Sequence, residues 1–104
     1  MINKEQFKKI LEKVIEHNGY TKSMLTSKQC DMQGLWTPCD MILREYYNNG
    51  GGSANGFLGI TMEECIDAFY FIKENVEFFK SNDLISPKGY NNFGWLLWTN
   101  YNIA

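Results

Sequence analysis

The chain is poor in the groups that carry most enzymatic chemistry. It has one histidine, His17, and one arginine, Arg44, in 104 residues. Nucleophilic catalysis needs a nucleophile beside a base. A lone imidazole near the end of a helical segment reads better as a surface group favoured by the helix dipole. Cysteine is sparse and odd in number: Cys30, Cys39 and Cys65. Three thiols do not close a disulfide framework. Their spacings match no paired zinc-ligand pattern, so no metal is expected. They read as small apolar packing groups in a reducing compartment. No Asn-x-Ser/Thr sequon occurs, which agrees with a cytoplasmic location.

Other absences narrow the classes further. No window approaches the ~18 unbroken apolar residues of a membrane span. The opening residues, Met1 to Glu5, lack the basic-then-apolar layout of a secretory leader. The glycines at 50–56 lack the Lys-Ser/Thr of a phosphate loop and fit no Gly-x-Gly-x-x-Gly register. Twelve acidic residues always allow some carboxylate pair, so a glycosidase signal is empty. A net charge of −2 argues against a chain held to nucleic acid by phosphate contacts. Together these absences lead us to expect neither an enzyme nor a cofactor.

What is present suits one domain spanning 1–104. Hydrophobic residues at 44% and charged residues at 21% are those of a globular chain. A domain this small buries only about 60–70% of its unfolded surface, so every apolar stripe is needed. Asn, Lys, Ile, Phe and Tyr supply 42 of the 104 residues. Their codons are AT-rich, which points to a low-GC bacterium, its phage or a mobile element.

The pattern predicts a mostly α fold with three main helices. Asn3 and Gln6 form a capping box for the first, over about 4–17. Phe7, Ile10, Leu11, Val14 and Ile15 repeat as one buried face. Asn18-Gly19 offers a left-handed stop. Thr37-Pro38 starts the second helix, about 38–48, with Thr37 as cap and Pro38 where a missing N–H costs nothing. Between them a short helix from about Ser23 to Met32 is expected, ended by Gly34.

Residues 48–56, Asn-Asn-Gly-Gly-Gly-Ser-Ala-Asn-Gly, read as a flexible loop between two halves of the domain. The halves differ in charge, +1 for residues 1–52 and −3 for 53–104. A hairpin with strands near Met41–Tyr47 and Phe57–Thr61 ranks second, because alternation there is poor. Thr61-Met62-Glu63-Glu64 opens the longest helix, about 62–81. Met62, Cys65, Ile66, Phe69, Ile72, Val76 and Phe79 share its core arc. Ser86 to Gly89 reads as a turn. The aromatic segment from Tyr90 to Ala104, with Trp95 and Trp98, fits a short helix or an edge strand.

One surface stands out. On the wheel of the longest helix, Glu63, Asp67, Tyr70, Glu74 and Glu77 form a continuous stripe. Phe71 and Phe78 lie beside it, roughly opposite the core arc, where a helix should be polar. Either the tail covers these rings, or the seven residues form a surface for a basic protein partner. Carboxylates would then steer the encounter and the rings would supply buried area. The expectation is a non-enzymatic binding protein that occludes its partner, such as a host protein with a cationic nucleic-acid groove. The AT-rich composition narrows it to a phage or mobile-element inhibitor of the anti-defence or anti-CRISPR kind. The alternative is a nucleic-acid-binding accessory protein using Lys8, Lys9, Lys13 and the tail aromatics. A cysteine-nucleophile enzyme ranks third.

Overall fold

A computed structural model describes residues 2–85. Among these residues the fold is helical, with six α-helices and no strand. The aromatic segment at 90–104 and the turn at 86–89 lie outside the described residues, as does any cover the tail gives Phe71 and Phe78.

Three helices start where capping chemistry places them. In α1 (Lys4–Asn18) the Asn3 side chain accepts from the Gln6 N–H while the Gln6 side chain accepts from the Asn3 N–H, each at 2.8 Å. Gly19 ends it at φ +69°, a region glycine enters without a Cβ penalty. In α3 (Pro38–Asn49) the buried Thr37 hydroxyl accepts from the Asp40 N–H at 3.0 Å. Its own proton goes to the Leu84 carbonyl at 2.7 Å, so one hydroxyl caps α3 and pins the far end of the described chain. In α5 (Met62–Glu74) Thr61 and Glu64 form the expected capping box.

These helices enclose one core. Phe7, Ile10 and Val14 from α1, Cys39, Ile42 and Leu43 from α3, and Cys65, Ala68, Phe69 and Ile72 from α5 are buried together. The Tyr46 ring stacks on Phe69 with centroids 3.8 Å apart. Full burial of a side chain such as Phe69 contributes roughly 1.5–3 kcal/mol. Met62, expected in the core arc, is instead exposed in the first turn of α5.

The connections depart from expectation in physically legible ways. The helix expected over Ser23–Met32 resolves into a 3₁₀ turn (Lys22–Met24) and α2 (Ser27–Asp31), divided by the Thr26 cap, which accepts from the Gln29 N–H. The stretch at 48–56 holds the end of α3, a tight turn and a short helix, α4 (Ala54–Phe57). Glu45 organises that turn: its buried carboxylate accepts from the Ser53 N–H at 2.9 Å and from the Asn49 side chain at 3.4 Å. Gly51, at φ +88°, lies against Met62, whose carbonyl a Cβ there would approach to 3.2 Å. Ala54, Leu58 and Ile60 then enter the core. The hairpin reading fails, since Met41–Tyr47 is helical and α4 ends at Phe57.

The expected single helix over 62–81 is two. It breaks at Asn75 (φ −120°, ψ 30°), after which α6 (Val76–Ser81) begins. The Asn75 side-chain amide donates to the Phe71 carbonyl at 2.8 Å, capturing an acceptor at the end of α5. The apolar rhythm of Ile72, Val76 and Phe79 runs through the break and masks it in the sequence.

Candidate partner-binding surface

The seven residues singled out on the last helix are distributed over α5 and α6. Glu63, Asp67, Tyr70, Phe71 and Glu74 belong to α5, and Glu77 and Phe78 to α6. The stripe is therefore bent at Asn75 rather than continuous.

Four of the seven converge. Asp67, Tyr70, Phe71 and Glu74 line a shallow hollow of about 90 Å³ together with Ile2. The Tyr70 hydroxyl lies 3.2 Å from that of Tyr46, and the Lys73 ammonium sits 5.3 Å from the Tyr70 ring centroid. Those contacts hold the ring in place between α3 and the surface. Glu63 and Glu77 are exposed and line neither this hollow nor the groove beside it; Glu77 lies 3.9 Å from Lys80, one turn on.

The two phenylalanines part company. Phe71 is half-buried and stacks on Phe7 of α1, with centroids 4.6 Å apart and planes 17° from parallel. It also meets the edge of Phe79. The flank of α5 that a lone-helix wheel marks as outward is met by α1, so Phe71 is an edge of the core rather than its opposite. Phe78 remains 51% exposed, touching Phe79 edge to face at 5.5 Å.

Between these helices runs a second concavity that the sequence reading missed. It holds about 310 Å³ and is lined by Phe7, Leu11, Phe71, Phe78, Phe79 and Leu84, together with Lys4, Lys8 and Asn75, all three of them exposed. The signal was latent in α1. Lys4 and Lys8, and Phe7 and Leu11, are parallel i, i+4 rows on one side of that helix. Only the packing of α1 on α5 shows that they face Phe71 and Phe78.

Cys30, Cys39 and Cys65 are all buried. Burial raises the Cys65 thiol to about 12, with help from Glu45, and raises the Cys39 thiol well above its ordinary value, with help from Asp40. A thiolate is the reactive form, so these environments suppress nucleophilicity at Cys39 and Cys65. The Tyr20 hydroxyl, pushed up to about 12 mainly by burial, donates to the Trp36 carbonyl at 2.8 Å. Exposed His17 lies in the last turn of α1 with its ring against Gly59. No group of three His, Cys, Asp or Glu side chains suited to a metal occurs among the described residues.

The basic patch of α1 is divided by its contacts. Lys13 donates to Glu64 at 2.7 Å, tying α1 to α5. That hydrogen bond, with one from the Thr61 N–H, holds the Glu64 carboxyl below the usual range. Lys8 lines the groove. Trp95 and Trp98, invoked as stacking groups, lie outside the described residues. No helix among the described residues is long and apolar enough to cross a membrane. Comparison with known protein families, with characterised proteins and with solved structures found no match.

Proposed function

We propose that this chain is a non-enzymatic binding protein that occludes a basic macromolecular partner, docking it on the outer flank of α5 and α6. One observation carries the reading. Phe78 keeps half its surface in water while the carboxylates of Asp67 and Glu74 border the neighbouring hollow. A half-exposed ring supplies apolar area to an interface, and acidic neighbours favour a cationic partner and hasten its encounter. A host protein with a cationic nucleic-acid groove is the partner class we infer. The AT-rich composition supports the narrower reading, a cytoplasmic phage or mobile-element inhibitor of a host defence protein.

Affinity capture from cells of the source organism tests this. Wild type is compared with the quadruple variant Glu63→Lys, Asp67→Lys, Glu74→Lys and Glu77→Lys, each first shown by circular dichroism to keep its helicity. A basic protein retained by wild type and lost from the variant is the expected result. Equal retention by both overturns the assignment of this face.

A further inference from the structure

The groove between α1 and α6 shares Phe71 and Phe78 with the docking face, but the inference drawn from it rests on the α1 lysines and not on the partner-docking reading. We infer that it is a binding site for a small amphipathic carboxylate, an aliphatic chain ending in one negative charge. Its size, about 310 Å³, is at the lower end of small-molecule pockets. Its body is hydrocarbon: Phe7, Leu11, Phe71, Phe78, Phe79 and Leu84 form the wall. The one neutral polar side chain, Asn75, already commits its amide to the Phe71 carbonyl. A ligand body with its own hydrogen-bonding groups would find few partners inside, and leaving such groups unpaired is costly. The body must therefore be apolar.

The head is set by the two exposed lysines. Lys4 and Lys8 sit one turn apart on α1 and are the charged residues of the lining, which holds no carboxylate. Among the described residues, ion pairs engage Lys13 and Lys80 but not Lys4 or Lys8. Lysine stems lie along apolar surface while their ammonium heads stay in water. An alkyl chain lying against Phe71 and Phe79 would thus meet two cations where it emerges. The acidic residues Asp67 and Glu74 line the separate hollow that shares Phe71 with this groove, so the two concavities have opposite charge preference.

The test is titration of the ¹⁵N-labelled full chain with decanoate, followed by amide NMR shifts, with decyltrimethylammonium as a probe of equal tail and opposite head. Decanoate should give saturable shifts confined to the first two turns of α1 and to residues 71–84. The double variant Lys4→Glu, Lys8→Glu should bind decanoate about tenfold more weakly. It should gain affinity for decyltrimethylammonium, at unchanged helicity. Both lysines are exposed, so the fold should tolerate these changes. No shift at the groove residues, or equal binding of the two probes by wild type, overturns the proposal. Neither result bears on capture of a basic partner through the α5 carboxylates.

Discussion

Thr61 shows how much one hydroxyl contributes here. It accepts from the Glu64 N–H at 3.1 Å while the Glu64 carboxylate accepts from the Thr61 N–H at 2.9 Å. Thr61→Ala should cost about 1 kcal/mol, read from the denaturant midpoint at unchanged slope. Glu64 also carries a pH signature. Its folded pKa lies below its unfolded value, chiefly through the Lys13 hydrogen bond. The stabilisation is therefore complete above the unfolded carboxylate pKa and is lost as pH falls through the folded one. Lys13→Met should flatten that acid-side loss, and an acid titration of the melting temperature checks it. The Cys39 and Cys65 thiols behave in the opposite sense. Cys65 is raised from 9.0 to about 12, so the unfolded chain releases its proton first and stability declines between those values. In native buffer a thiol reagent such as Ellman's should label the three buried cysteines far more slowly than in denaturant. Rapid labelling of any one in the native state would contradict their placement.

Helix starts were the most legible elements, and their reasons are local. Asn3, Thr37-Pro38 and Thr61 are caps whose partners lie three residues away, so a reader of the sequence sees both halves of each interaction. Gly19 was legible for the same reason. What escaped depends on partners distant in sequence or on competition at one residue. The glycine-rich stretch looks like an open loop until Glu45, eight residues before Ser53, is seen to accept its N–H. Glu45→Ala leaves that N–H and the Asn49 amide without their acceptor and should cost about 1–3 kcal/mol, measurable by thermal unfolding. Asn75 stops α5 by rebonding its side chain to Phe71, a choice that a polar residue on an exposed face does not announce. The Thr26–Gln29 capping box is present in the sequence, but the weak apolar pattern around it does not mark a helix start there.

For the molecule as a whole, the surface is decided by how α1 and α5 pack, and this is where the sequence ran out. The wheel placed Phe71 and Phe78 together, opposite the core. The packing of α1 draws Phe71 into a stack with Phe7, while the bend at Asn75 leaves Phe78 in water. The acidic stripe was legible as a set of residues, of which Asp67 and Glu74 share a hollow and Glu63 and Glu77 stand apart from it. Lys4, Lys8 and Leu11 escaped because a groove between helices belongs to neither helix alone.

A docking face requires that Phe78 serve something other than the core, and equilibrium denaturation of Phe78→Ser beside Phe71→Ala reads that directly. Phe71→Ala removes a ring stacked on Phe7 and should cost about 2–4 kcal/mol. Phe78→Ser should cost about 1 kcal/mol or less, because half of that ring is already hydrated. A loss for Phe78→Ser as large as that for Phe71→Ala would make Phe78 a core residue and leave no free phenylalanine ring on the α5–α6 flank for a partner to cover.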